Sequence, residues 1–380
     1  MPITATLARS GNHCYRPGMS TFRKTVALAA LVLVAGCGAG AEPTASSTCA
    51  PPPPADVTRV SGWLGHVAAS PSSTTFVVDD GRGGVTSHGA DQPMPLASAA
   101  KVVHLAAYGR AVAEGRVRVD EPVALADWER WYLPGNDGGA HPKAVQRLGV
   151  RGTATVDQLV SAMIQESDNS AADWLRARLG DDALVRAAAD TGWTGVDLPS
   201  FLGAGIALAV PGDAPPADAP RAVRGPAEVV LARRYADDAG DRTRVQGALA
   251  ALQADQARFL ALNEAWAART ASGTAAQLAG MHRALVTGSF GPGADVARRQ
   301  LEWQGPSPLG TLGFKGGTYL GVLTFGSGLR RTDGTTGVAV ILARDLGVSS
   351  LDPQVLEAEQ GLALGAMTKP EAFSRLACVS

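Results

Sequence analysis

Segments that read as strands lie at the two ends of this chain, and segments that read as helices fill the long middle. From Arg59 to Leu96 short apolar runs alternate with turn residues, and Thr75–Asp79, the turn Gly81-Arg82-Gly83-Gly84 and Val85–His88 form a predicted hairpin. Near the other end, Leu312–Leu323 and Gly337–Ala343 read as antiparallel strands. Between them the spacing turns helical. Val102, Leu105, Ala106 and Ala113 recur at three- and four-residue steps. Thr155-Val156-Asp157-Gln158 has the form of a capping box, which opens a helix through Leu159, Met163 and Ile164, and a second helix is expected from Ser170 to Leu179. Asp120–Leu148 is irregular and Val210–Pro226 reads as a Pro- and Ala-rich loop. Ala227–Ala268, Ser272–Val286 and Pro353–Met367 are helical in pattern. The expected class is α/β of the α+β type, with strands and helices segregated along the chain.

The charges exclude one class of partner. With 34 basic and 35 acidic residues the net charge is −1, so no extended nucleic-acid footprint is expected. Only five of the basic residues are lysines: Lys24, Lys101, Lys143, Lys315 and Lys369. Arginine keeps its proton in a protein whereas lysine can lose it, so positions that hold lysine against this bias are candidates for proton transfer.

Arg23 and Lys24 precede the apolar run Val26–Ala35, which has the length of a signal-peptide core and is too short to span a bilayer. The run ends in Val34-Ala35-Gly36-Cys37, which resembles the lipobox of bacterial lipoproteins. That likeness implies cleavage before Cys37 and lipid attachment to its sulfur. Residues 1–36 are therefore expected to be a signal peptide, with 1–18, including Cys14, an over-extended start before Met19. Residues 37–58, with Pro51–Pro54, read as a tether, and 59–380 as the folded domain. The location this implies is the outer face of a membrane, held by a lipid anchor. Cys49 and Cys378 remain as an even pair in an oxidising compartment and are expected to bridge the two ends of the mature chain.

Three short motifs carry the chemistry. Ser98-Ala99-Ala100-Lys101 opens a helix, and residues three apart share a helical face, so an amine at Lys101 can reach the Ser98 hydroxyl. Free N–H groups at the helix start can bind the oxyanion that forms when Ser98 attacks a carbonyl. Ser167-Asp168-Asn169 lies between two helices, where a hydroxyl can relay a proton and an amide can hold a substrate carbonyl. The same residue types are also common as caps and turns. Lys315-Gly316-Gly317-Thr318 interrupts an apolar strand pattern with a charge, and its glycines permit close approach to backbone.

In this order the three motifs resemble S-x-x-K, S-D-N and K-T-G of the penicillin-recognising serine hydrolases, the class A β-lactamases and low-molecular-weight penicillin-binding proteins. The resemblance runs from about Arg59 to the C-terminal helix. It implies one antiparallel sheet built from both chain ends and flanked by helices, plus an all-helical lobe at about residues 113–290. It also implies roles: Ser98 as nucleophile, Lys101 as its general base and Ser167 as proton relay. Asn169, Lys315, Gly317 and Thr318 would bind substrate, with the amides of Ser98 and Thr318 as oxyanion hole. The substrate would be a β-lactam, a D-alanyl cell-wall peptide or an ester, handled by a monomer without cofactor. The histidines and cysteines show no metal-ligand spacing. A non-catalytic, cell-wall-binding lipoprotein with the same fold is the alternative.

Three departures stand out. Gly316 replaces the hydroxyl residue beside the strand lysine, and Asp197–Val210 contains no glutamate to activate a deacylating water. Glu166 adjoins Ser167 but reads as a helix-end carboxylate. The distance from Ser167 to Lys315 is also long, with the extra length in the helical stretch after Pro226.

Overall fold

The computed structural model describes residues 49–380. The signal segment 1–36 and Cys37 lie outside the described residues. Six antiparallel strands form the main sheet, in the spatial order Val85–His88, Thr74–Asp79, Thr336–Ala343, Val322–Arg330, Gly310–Tyr319 and Pro306–Ser307. Both chain ends contribute, and the join is the pairing of Thr74–Asp79 with Thr336–Ala343, with Phe76 opposite Ile341.

Side chains alternate across a strand, so each strand serves two cores. Phe76, Val78, Ala339 and Ile341 pack with Trp63 and Val67 of the helix Val60–Ala69 and with Val355 and Leu362 of the helix Pro353–Thr368. Val77, Val338, Val340 and Leu342 pack on the other face with the helices Lys101–Ala113 and Ala275–Thr287. Burial on both faces explains why Gly337–Ala343 reads as an unbroken apolar run.

The helix Lys101–Ala113 is buried almost all round, from Lys101 through Gly109 and at Ala111. A helix of that kind belongs in the middle of a fold. It packs between the sheet-side helix Ala275–Thr287 and the lobe helices Val156–Gln165, Asn169–Leu179 and Asp181–Ala189. Its first turn, Ala97–Ala100, is a 3-10 turn that carries Ser98. Because Ala275–Thr287 lies on the sheet, the helical lobe ends before it and not at about residue 290.

Several expectations change. The run Leu312–Leu323 is two strands, broken at Leu320-Gly321, where Gly321 adopts φ +80°. The irregular stretch Asp120–Leu148 holds the helices Leu125–Glu129 and Ala140–Leu148, and a further helix, Pro370–Ala377, follows the one ending at Thr368. The Val210–Pro226 loop stops at Pro220. The helix Arg221–Asp237 runs through Pro226, which forfeits one backbone hydrogen bond. That loss is offset by tertiary contacts, since Arg221 pairs with both Asp197 and the buried Glu228. With Ala239–Ala254 and Gln256–Ala267 this helix forms a third core around Leu202, Ile206, Leu231, Tyr235, Leu249 and Trp266.

The part of the expected tether that is described, Cys49–Thr58, is docked on the domain. It lies against Val60–Ala69. A β-carbon at Gly65 would stand 2.1 Å from the carbonyl oxygen of Pro53, and one at Gly62 would stand 2.1 Å from that of Asp56. Cys49 and Cys378 are joined by a disulfide.

Candidate active site

Ser98, Lys101, Ser167, Asn169 and Lys315 meet at one point. Lys101 Nζ lies 3.0 Å from Ser98 Oγ, 2.5 Å from Ser167 O, 3.2 Å from Ser167 Oγ and 2.7 Å from Asn169 Oδ1. Lys315 Nζ donates to Ser167 Oγ at 3.0 Å and to its neighbour Gly316 O at 2.6 Å. The Ser167 hydroxyl is thus held between two amines.

The partners of Lys101 suit a base. Its two shortest contacts go to oxygens that can only accept, the Ser167 carbonyl and the Asn169 amide oxygen, and these use the two N–H bonds of a neutral amine. The remaining two contacts go to hydroxyls, which can donate. The amine lone pair is therefore directed to the side where Ser98 and Ser167 stand. All four oxygens belong to neutral groups, and Lys101 is 0 % exposed. Burial holds the Lys101 amine down to about 7, against the pull of Asp168, Asp137 and Asp173 in the opposite direction. Lys315, 4 % exposed, is pushed well down by burial and then by the charge of Lys101. Desolvation is the main cause for both amines, ahead of the repulsion that Lys101 adds at Lys315.

Backbone strain is concentrated here. Among the described residues three non-glycine residues adopt positive φ, and two of them are Ser167 at +67° and Ala97, next to Ser98, at +44°. Surrounding contacts hold them there. Asp168 caps the helix Asn169–Leu179, its Oδ1 accepting from Ser170 N, Ser170 Oγ and Ala171 N. Its Oδ2 lies 2.9 Å from His141 Nδ1, and the His141 ring stacks on Tyr132 with its centroid 4.3 Å away.

Gly317 closes the other side. A β-carbon there would stand 2.4 Å from the Ser98 nitrogen and 2.8 Å from that of Ala99, so only glycine lets the strand Gly310–Tyr319 lie against the nucleophile's amide. Thr324 Oγ1 donates to Gly317 O and to Leu96 O, fastening strand and serine turn together. Thr318 is exposed and stands on the strand face of Gly316, about 7 Å further along.

Motif reading left some residues of the site unidentified. Phe201 places its ring 4.4 Å from Lys101 Nζ. Asn136 donates from Nδ2 to Phe201 O at 3.0 Å and accepts at its carbonyl from Asn169 Nδ2 at 3.3 Å, tying the ring to the Ser167-Asp168-Asn169 loop. Asp173 fixes the same segment by accepting from Ser200 Oγ and Leu202 N. Asn136 lies within the irregular stretch Asp120–Leu148, where no motif marked it, and Phe201, an apolar residue, gave no signal. Glu166 turns away and pairs with Arg147. His104 is fully buried, and its pKa is held down to about 3 by that burial and by Arg176 and Lys101.

A match to the family described as "Beta-lactamase enzyme family" covers residues 66–292, well over half of the chain and both the Ser98 and Ser167 motifs. The chain belongs to the beta-lactamase enzyme family. Among solved structures it is similar to the beta-lactamase from Sphaerobacter thermophilus, with 17 % identity over 81 % of this chain and 97 % of that one and a TM-score of 0.52. It is also similar to a doubly substituted class A beta-lactamase of the last common ancestor of Gram-negative bacteria, with 16 % identity, 83 % and 99 % coverage and a TM-score of 0.50. At those identities the two structures speak for the fold. No curated protein matches the chain. The beta-lactamase-like fold places Lys315, beyond the family match, beside the Ser167 that lies within it.

Proposed function

We propose that this protein is a lipid-anchored serine hydrolase that forms an acyl-enzyme through Ser98, and that it releases the acyl group slowly. The observation that carries this reading is the buried Lys101 amine, 3.0 Å from Ser98 Oγ and held down to about 7. At neutral pH a large share of such an amine is unprotonated and can take the Ser98 proton as Oγ attacks the substrate carbonyl. The amides of Ser98 and Thr318 would stabilise the oxyanion. Ser167, held by both lysines, would pass a proton to the leaving nitrogen as its bond to the carbonyl carbon breaks. Lys315 and Asn169 would hold the substrate.

The second half of a hydrolytic cycle has less support. A water must be activated near Lys101, and Phe201 fills space beside that amine with an apolar ring. Once the proton taken by Lys101 has passed through Ser167 to the leaving nitrogen, the neutral Lys101 amine is again the available base. This favours a long-lived adduct with β-lactams and a D-alanyl cell-wall peptide as the natural substrate. The signal-like segment and Cys37 support a site on the outer face of the membrane.

The purified mature protein, exposed to a fluorescent penicillin and to a fluorophosphonate beside Ser98→Ala, tests this. Ser98-dependent labelling by penicillin that persists for hours is expected. Labelling by the fluorophosphonate alone would keep the serine hydrolase and remove β-lactams. No label with either probe would favour a non-catalytic wall-binding protein.

A further inference from the structure

The helices between Arg221 and Ala267 bear on which acyl groups the cleft admits, a question that rests on the acyl-transfer reading above. Both walls of the cleft are tied to them. On one wall Gln253 Nε2 donates to Gly135 O at 3.1 Å, beside the Asn136 that supports Asn169. On the other, Tyr319 Oη donates to Asn263 Oδ1 at 2.6 Å. Asn263 Nδ2 is committed to Phe259 O at 2.7 Å, so its carbonyl stays turned toward the tyrosine. Asn263 is buried, and Tyr319 packs on the third core.

Tyr319 shares a strand face with Lys315 and Gly317, because alternate residues point the same way. Gly317 abuts the Ser98 amide, and the tyrosine stands about 7 Å further along the strand from Gly317. The segment that lengthens this chain between Ser167 and Lys315 therefore crosses from one wall to the other at the Tyr319 end of the site. We infer that Tyr319 and Asn263 form an end wall of the acyl pocket, and that the protein accepts small substituents on the acyl side of the scissile carbonyl and discriminates against bulky aromatic ones. A large group would have to displace a packed ring and leave the Asn263 carbonyl without its donor.

Two penicillins with one nucleus test the wall: 6-aminopenicillanic acid, with a bare amine, and benzylpenicillin, with a phenylacetyl group on that amine. Acyl-enzyme formation is followed by mass spectrometry. The unmodified protein is expected to react at least about tenfold faster with the bare amine, the scale of selectivity a shaped pocket provides. Tyr319→Ala narrows that ratio to about threefold or less, whatever it does to absolute rates, and Asn263→Ala, which frees the ring, narrows it partly. Tyr319→Phe keeps most of it. Equal rates in the unmodified protein, or a ratio that neither alanine variant moves, overturns the wall and leaves acyl transfer standing. Absence of Ser98 labelling by both penicillins overturns the wall, and absence of labelling by the fluorophosphonate as well overturns the acyl-transfer reading with it.

Discussion

The two sides of Lys101 are built differently. Toward Ser98 and Ser167 every neighbour is polar and placed within hydrogen-bond reach: two hydroxyls, an amide oxygen, a carbonyl and a second amine behind the Ser167 hydroxyl. Toward Phe201 the amine meets an aromatic face. In the proposed mechanism the polar side supplies the groups that form an ester on Ser98, whereas the aromatic ring of Phe201 has no group that could take a proton from water. On the acyl-transfer reading proposed above, the contrast teaches that groups suited to acylation and a base suited to deacylation are separable parts of one fold.

The largest expected effect breaks the polar side. Lys101→Arg keeps a cation in place but cannot accept a proton, so the rate of Ser98 acylation is expected to fall by about 10³-fold, within the span general bases supply. A stopped-flow or quenched-labelling measurement that found less than about a tenfold loss would remove Lys101 as the base.

A smaller effect follows from pH. The amine must be neutral to act, and its pKa lies at about 7. Below that value the acylation rate should fall about tenfold per pH unit, and above it the rate should level off, because the protonated fraction grows only on the acid side. A profile flat from pH 5.5 to 8 would contradict the assignment.

The smallest effect sharpens the aromatic side. Phe201→Glu should speed release of a bound penicilloyl group by about tenfold, less than a fully positioned base provides. The same carboxylate, close to Lys101, favours its charged form, so the acylation profile should shift to higher pH at the same time. Release that speeds without any shift of the profile would mean that the new carboxylate does not face Lys101.

The difference between the two sides also sets what was legible in the sequence. Ser98 and Lys101 share a helical face, and Ser167, Asn169 and Lys315 lie in short motifs, so they stood out one segment at a time. Lysine's rarity in an arginine-rich chain marked Lys101 on chemical grounds. Phe201 and the pair of Tyr319 with Asn263 did not stand out, because an apolar residue and contacts between distant segments leave no local pattern. The same holds for Pro226, where a residue that usually ends a helix is overridden by the pairing of Arg221 with Glu228 and Asp197. Cys49–Thr58 read as tether from its prolines, and only Gly62 and Gly65, on another segment, reveal where it docks.

The bond between Cys49 and Cys378 has a mechanical meaning. Tension arriving along the chain from residues before Cys49 is shared between two routes, the docked stretch Cys49–Thr58 and, through the two sulfurs, the last helix Pro370–Ala377. The domain is therefore loaded at both of its ends at once, in the manner of a closed ring instead of an unravelling thread. A tug on the leading segment cannot strip Val60–Ala69 from the sheet without also carrying the far end of the chain with it.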